Sequence, residues 1–162
     1  SYMGLGELVV GISFGPLIVS SAYFVQTGYI TVLPILVSVP IGLLVAAVLY
    51  INQFPDFEAD KAVNKKNLVV RLGIKGALPY YYFLLASAYL VLVAGVGFHL
   101  VPAIALIAFL TLPLAVTAGW QAAKWCDTPK KLLPANAYTI AVQFGVGILL
   151  TVAFVWRAMP LK

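Results

Sequence analysis

Three acidic side chains lie within five consecutive positions of this 162-residue chain, at Asp56, Glu58 and Asp60. Asn52 precedes Asp56 by the same four positions that separate Asp56 from Asp60. On a continuous helix this spacing would place an amide oxygen and two carboxylates on one face, so that all three could enter one cavity. Such oxygen ligands suit Mg²⁺, which usually binds one or two carboxylates, waters and substrate phosphates. The spacing predicts a metal site formed by Asn52, Asp56 and Asp60.

Pro55 lies inside this run. A proline within a helix lacks an N–H and crowds the carbonyl four residues earlier, and it disfavours the helical conformation of the preceding residue. We therefore predict a kink at Pro55 that could turn Asp56 and Asp60 toward the interior of the protein.

Cationic side chains follow the carboxylates, at Lys65, Lys66 and Arg71. Together with Mg²⁺ they would hold a diphosphate and stabilise the charge that develops as it leaves. Arg71 is favoured for direct contact, because its planar guanidinium binds phosphate oxygens in pairs. The same charges also fit a solvated loop at a membrane surface, where Lys and Arg fix the topology. A D-x-x-x-D pair alone does not distinguish these interpretations.

The elements that must position these side chains are membrane helices. Apolar residues make up 63% of the chain, charged residues 9%, and the mean hydropathy is +1.04, which excludes a soluble domain and indicates an integral membrane protein. Continuous rather than alternating hydrophobicity argues against a β-barrel. With about 20 residues per span, the sequence predicts an all-α transmembrane fold in one domain. Its five helices are expected at about 8–25, 31–51, 77–98, 100–119 and 136–157, with a motif loop at 52–76.

The distribution of basic residues predicts the orientation. Eight of the ten Lys and Arg residues fall between helices two and three or between helices four and five, which five alternating helices would place on one side. By the positive-inside rule that side is the cytoplasm, with the N-terminus inside and the C-terminus outside. The net charge of +5 thus reports topology and not a nucleic-acid partner.

Other residues carry packing predictions. Gly11 and Gly15, four positions apart, would allow close approach of helix one to a neighbour. The polar side chains of Gln121, Asn136 and Gln143 lie in or near helices and are expected to hydrogen-bond between helices rather than to act in catalysis.

The segment from Asn52 to Gly73 closely resembles the second aspartate-rich motif of the UbiA-type intramembrane prenyltransferases. The Gly-Leu-Gly-Glu-Leu run at 4–8, the Phe-Gly-Pro run at 14–16 and the Tyr-Phe-Val-Gln-Thr-Gly run at 23–28 are most similar to the branch that prenylates 1,4-dihydroxy-2-naphthoate on the way to menaquinone. Family members often have Gly at the position of Asn64 and Thr at that of Asn67. Asn tolerates a positive φ and keeps a hydrogen-bonding side chain, so neither difference disturbs the motif.

The resemblance implies a nine-helix bundle around a central cavity, of which this chain would be the fifth through ninth helices. The family's first motif, N-D-x-x-D-x-x-x-D, has no counterpart here. We therefore expect the C-terminal portion of an enzyme, inactive alone, whose partner is the missing N-terminal helices or an equivalent chain. A multi-pass protein of a bacterial or archaeal cell membrane is expected, with the motif loop on the cytoplasmic side.

The activity implied is Mg²⁺-dependent transfer of a polyprenyl group from its diphosphate to an aromatic carbon. Asp56 and Asp60 would be the catalytic metal ligands, with Asn52 in support, and Lys65, Lys66 and Arg71 would contact the diphosphate. Tyr2 and Glu7 are candidates on the acceptor side. Glu7 could instead orient a basic residue or be an interfacial carboxylate favoured by the helix dipole, and Tyr2 could be an interfacial anchor.

Two other classes of function fit the composition. A small transporter component would also be a basic five-helix protein, although it should place ionisable residues in the middle of the membrane. A non-catalytic membrane subunit, such as a degenerate prenyltransferase half bound to a partner, would keep the fold without turnover.

Overall fold

The computed structural model describes residues 6–158, and every element in that part of the chain is helical. Five helices are long and apolar enough to cross a membrane, as predicted. They are α1 (Gly6–Thr27), α2 (Val32–Asn52), α5 (Ile74–Gly97), α6 (Ala103–Trp125) and α7 (Pro129–Ala158). Two short helices, α3 (Phe57–Ala62) and α4 (Leu68–Leu72), lie in the connection between α2 and α5.

The last two long helices extend further than hydropathy indicates. The predicted fourth helix ends at 119, whereas α6 continues to Trp125, and the predicted fifth begins at 136, whereas α7 begins at Pro129. Proline is favoured in the first turn of a helix, because its missing N–H would have no intrahelical acceptor there. The polar first turns of α7 therefore form helix outside the apolar segment that marks the span.

Helix α1 packs closely against α2 through glycine. Pro16 cannot donate a backbone hydrogen bond, and the helix passes it in a π-helical turn over Ser13–Leu17. A Cβ atom on Gly15 would lie 2.8 Å from the Cα of Gly42 and 2.8 Å from the carbonyl oxygen of Ser38. The backbones of α1 and α2 are thus almost in contact, as the small-residue spacing predicts.

Buried hydroxyl groups join α5 to its neighbours. The hydroxyl of Tyr81 lies 2.6 Å from that of Thr139 on α7, and the hydroxyl of Tyr89 lies 2.7 Å from that of Thr111 on α6. The Tyr50 hydroxyl of α2 donates to the Ala77 carbonyl oxygen at 3.1 Å. Lipid offers no alternative partners for these groups, so each pairs within the protein.

The two basic connections lie at the same end of the bundle, as alternating helices require. Lys75 at the start of α5 places its Nζ 4.0 Å from Oδ2 of Asp127, between α6 and α7. The α2–α5 connection, which contains the predicted motif, therefore lies beside the α6–α7 connection.

Candidate metal and diphosphate site

Helix α2 ends at Asn52 and does not continue through the motif. Pro55 has no N–H to donate to the Ile51 carbonyl oxygen. That oxygen instead accepts a hydrogen bond from the Phe54 N–H at 3.3 Å, in a tight turn. The helix therefore breaks at this point, where a kink was predicted. Pro55 has no N–H to continue the helix, and it lies where the apolar segment ends. Asn52, Asp56 and Asp60 do not share the face of one helix.

The chain becomes helical again immediately after the break. Asp56 precedes α3, and its carbonyl oxygen accepts the Asp60 N–H at 2.8 Å. The Asp56 side chain is exposed and makes no hydrogen bond within residues 6–158, while Asp60 is only 8% exposed. The two predicted metal ligands therefore occupy opposite environments, one open to a ligand and the other held inside the loop.

Both oxygens of the Asp60 carboxylate have donors from the following loop. Lys65 Nζ lies 2.9 Å from Oδ1, and Asn67 Nδ2 donates to Oδ2 at 2.6 Å. The Lys65 N–H also donates to the Asp60 carbonyl oxygen at 2.9 Å. A buried carboxylate requires an opposite charge or several hydrogen bonds, and Asp60 has both. These contacts fold the loop around Asp60.

Asn67 has a second role at the start of α4. Its side chain, 2% exposed, accepts the Val70 N–H at 2.8 Å and so caps the helix that carries Arg71. Asn67 is not among the site residues predicted from the sequence. An Asn directly before an apolar helical run is an N-cap signal, but its contact with Asp60 depends on the path of the whole loop.

Two left-handed residues shape that path. Asn64 has φ 58°, which confirms the prediction that Asn replaces Gly at a position of positive φ. Gly73, between α4 and α5, has φ 73° and ψ 156°, a conformation nearly restricted to glycine. The motif loop therefore requires, at two defined points, residues that tolerate a positive φ.

The predicted diphosphate-binding cations differ in their present contacts. Lys65 is paired with Asp60, whereas the side chains of Lys66 and Arg71 are exposed. Arg71 Nε donates to the Lys66 carbonyl oxygen at 3.0 Å, and so the guanidinium is held against the loop. All three lie on the same short connection as the carboxylates.

Asn52 is joined to α7. Asn136 Nδ2 donates to Asn52 Oδ1 at 2.6 Å, which confirms the predicted hydrogen bond between helices for Asn136. The Oδ1 atom of Asn136 is buried and has no hydrogen-bond partner in the described chain. That the partner of Asn136 is a predicted metal-site residue was not predicted from the sequence.

The donor set fits Mg²⁺ in chemistry. Asp56 is an exposed carboxylate, and Asp60 has both of its oxygens oriented by donors. The buried Asn136 oxygen lies beside Asn52 and receives no hydrogen bond from the described residues. These are the hard oxygen atoms that Mg²⁺ selects. Within residues 6–158 there is no group of three or more His, Cys, Asp or Glu side chains that could hold a metal, so the described ligands would form part of a shell.

Glu7 is one of only two buried residues among those described in α1, the other being Gly15. It is 2% exposed, and Oε1 accepts a hydrogen bond from Gln53 Nε2 at 2.5 Å. Burial argues against an interfacial carboxylate facing water, and the partner is an amide rather than the basic residue considered above. Tyr2, the other acceptor-side candidate, lies outside the described residues.

The chain matches a family model described as the UbiA prenyltransferase family over residues 1–144. It is 30% identical over 158 residues to the 2-carboxy-1,4-naphthoquinone phytyltransferase of Synechocystis sp., an alignment covering 98% of this chain and 52% of the relative. It is 32% identical over 155 residues to the 1,4-dihydroxy-2-naphthoate octaprenyltransferase of Bacillus subtilis, covering 94% and 49%. It is 39% identical over 89 residues to the UbiA prenyltransferase domain-containing protein 1 of Danio rerio, covering 55% and 26%. The chain thus spans about half the length of the two relatives that match nearly all of it.

Proposed function

The chain belongs to the UbiA prenyltransferase family, and from that premise we propose that it supplies the second aspartate-rich motif of a Mg²⁺-dependent aromatic prenyltransferase. The enzyme would transfer a polyprenyl group from its diphosphate to 1,4-dihydroxy-2-naphthoate in menaquinone biosynthesis. The observation that carries the proposal is the short loop in which Asp60 is held by Lys65 and Asn67, next to the exposed Asp56, Lys66 and Arg71. The loop combines carboxylates with cations at one end of a membrane bundle.

The residues have separate roles in this reaction. Asp56 and Asp60 bind the metal, and Asn52, held by Asn136, supports them. When bound, Mg²⁺ neutralises the diphosphate and favours its departure. Lys66 and Arg71 contact the phosphate oxygens from the exposed side of the loop.

Lys65 has one role before the metal and diphosphate bind and another after they bind. Its ammonium compensates the buried Asp60 charge in the described structure, at 2.9 Å. A carboxylate so enclosed would be costly without an opposite charge. We propose that Asp60 would help to hold the metal and that Lys65, whose side chain is 37% exposed, would also reach the diphosphate.

The bond changes follow from the charges. The bond between the prenyl carbon and the diphosphate oxygen breaks, and the diphosphate leaves with the electron pair. The electron-rich ring carbon attacks the resulting allylic cation. In the naphthoate branch the carboxylate then leaves the ring as CO2, and the electron pair of the broken C–C bond restores the aromatic ring. A cavity within apolar helices excludes water, which would otherwise capture the cation.

The acceptor assignment depends on the relatives. The names of the two that align with nearly all of this chain specify a carboxylated naphthoquinone and a dihydroxynaphthoate, which supports a bicyclic aromatic acceptor here. The remaining metal ligands would come from residues outside this chain, in the same protein or a partner, because the described part supplies two predicted metal-binding carboxylates. The concentration of basic residues at the motif end supports a cytoplasmic position for the loop.

The positions of the charges favour an enzyme over a transporter. Every described Asp, Glu, Lys and Arg residue lies in a connection or near the end of a long helix, and none lies in the middle of a span. A transport pathway would call for ionisable groups at mid-membrane.

The proposal is tested in membranes that contain the full natural reading frame of which this chain is part. The membranes receive Mg²⁺, a polyprenyl diphosphate and 1,4-dihydroxy-2-naphthoate, and the prenylated product is measured by chromatography. We expect product that disappears when EDTA is added and returns with excess Mg²⁺. Absence of product with this and other aromatic acceptors would favour the non-catalytic subunit.

Replacing Asn136 with alanine should raise the Mg²⁺ concentration needed for half-maximal activity by about 10- to 100-fold, the usual cost of removing a group that orients a metal ligand. Asn52 would lose the hydrogen bond that Asn136 donates at 2.6 Å. Folding should change little, because the substitution also removes a buried oxygen that has no partner among the described residues. The measurement is a Mg²⁺ titration of prenyl transfer. Gln143→Ala, on the same helix, is the matched control and should leave the titration unchanged. Equal titrations for the Asn136 variant and wild type would remove Asn136 from the site.

A further inference from the structure

A groove of about 290 Å³ runs between α1, α2 and α5. Its volume is close to the lower end of the range of about 300–1,000 Å³ for small-molecule pockets. Gly11 and Gly42 widen it by lacking side chains, while Tyr80 and Phe83 contribute aromatic rings. Among the described residues that line it, Glu7 is the one acidic residue, and the others are apolar apart from the Tyr80 hydroxyl.

The Glu7 carboxylate has acceptor capacity that the described protein does not use. A carboxylate can accept about four hydrogen bonds, whereas Glu7 receives one from residues 6–158, donated by Gln53. The Gln53 Oε1 atom is itself buried and has no partner within residues 6–158, so in that part of the chain this pair has acceptors in excess of donors. A buried acceptor without a donor is costly, and a ligand that brings a hydroxyl group would remove the cost.

The groove is also joined directly to the motif. Gln53 follows Asn52 in the chain and lies three residues before Asp56. The hydrogen bond from Gln53 to Glu7 therefore places the polar end of the groove at the end of the bundle that carries the metal and diphosphate residues. A ring in the groove would be near the site at which the prenyl group is released.

We infer that the groove binds a hydroxylated bicyclic aromatic ligand, with Glu7 accepting a hydrogen bond from a ring hydroxyl and Gln53 acting as the positioning residue for Glu7. The inference rests on the proposed function in that this ligand would be the prenyl acceptor. The Glu7 charge disfavours a second carboxylate beside it, so a carboxyl group on the ligand would lie away from Glu7. The hydroxyl edge of the acceptor, rather than its carboxylate edge, is what this site selects.

A binding measurement tests the inference without turnover. The full natural protein, purified in detergent, is titrated by calorimetry with 4-hydroxy-2-naphthoate and with 2-naphthoate, which lacks the hydroxyl. Wild type should bind the hydroxylated ligand about tenfold more tightly, as expected for a hydrogen bond to a charged acceptor. Glu7→Ala should abolish this preference, and Glu7→Gln should reduce it, because a neutral amide oxygen is a weaker acceptor.

Glu58→Gln is the matched control, since Glu58 is an exposed carboxylate near the same end of the bundle. It should keep the full hydroxyl preference. A preference that persists in Glu7→Ala, or that is absent in wild type, overturns the inference. If Glu7→Ala does not elute as a single folded species, Glu7→Gln decides: an unreduced preference overturns the inference.

Kinetics separate this inference from the proposed function. In prenyl transfer, Glu7→Gln should raise KM for the aromatic acceptor about tenfold and leave KM for the polyprenyl diphosphate unchanged. If wild type shows the hydroxyl preference but forms no prenylated product, the groove is a ligand site and the proposed reaction is wrong. If product forms and the Glu7 variants bind and react as wild type does, the reaction stands and the role of Glu7 is overturned.

Discussion

Replacing either Asp56 or Asp60 with alanine should reduce the rate of prenyl transfer by about 100- to 1,000-fold or more. A loss of this size is typical of removing one group that stabilises transition-state charge. In the proposed reaction, either substitution would remove a ligand of the metal that neutralises the leaving diphosphate. The measurement is product formation at saturating Mg²⁺ in membranes that contain the full reading frame. Product that survives both substitutions would contradict the metal role.

The two variants should differ in stability. Asp56 is exposed and has no hydrogen bond among residues 6–158, so Asp56→Ala should lose activity and keep the wild-type melting temperature. Asp60→Ala leaves the Lys65 ammonium and the buried Asn67 amide without their acceptor. Its melting temperature should therefore be several degrees lower than that of wild type. Glu58→Ala, between the two, is the control and should change activity less than about twofold, because exposed charges away from a site contribute little. Equal melting temperatures for Asp56→Ala and Asp60→Ala would contradict the loop structure.

Replacing Gly15 with valine should destabilise the protein by about 2 kcal/mol or more, at the upper end of the cost of overpacking. The first added carbon would lie 2.8 Å from backbone atoms of Gly42 and Ser38, which cannot move aside as a flexible side chain could. The expected result is a lower apparent melting temperature in detergent, with α1 separated from α2.

Gly97→Ala provides the matched control. Gly97 is also a helical glycine, yet apart from its own stretch of helix backbone a Cβ atom there would meet no atom of the described residues within 4 Å. This variant should melt at or slightly above the wild-type temperature, because alanine favours helix. A Gly15→Val protein as stable as Gly97→Ala would mean that α1 and α2 do not pack through these glycines.

The long helices could be predicted from sequence because membrane spans depend mainly on one property, a continuous apolar length. The close approach at Gly15 and the left-handed Asn64 could be predicted for a similar reason, since each follows from the chemistry of one residue type. The start of α7 could not, because Pro129 and the polar turns after it are helical without being apolar.

The interior of the motif loop was less predictable. Whether Pro55 bends or breaks a helix depends on whether the chain beyond it remains in the membrane, and local sequence does not specify this. The contact of Asp60 with Asn67 joins residues seven positions apart across a turn set by Asn64, and Asn52 meets Asn136 across 84 positions. Such pairs depend on the packing of whole helices.

The buried hydroxyl pairs fix how the long helices are positioned along one another's axes. Apolar helices in lipid can slide along one another at little cost, because one apolar neighbour serves as well as the next. The Tyr81–Thr139 hydrogen bond cannot slide, and Thr139 lies one helical turn beyond Asn136 on α7. A hydroxyl pair in the buried core therefore fixes the position along the helix axis at which Asn136 meets Asn52. A one-residue insertion into α7 between Asn136 and Thr139 would displace Asn136 from Asn52 without changing any residue of the site.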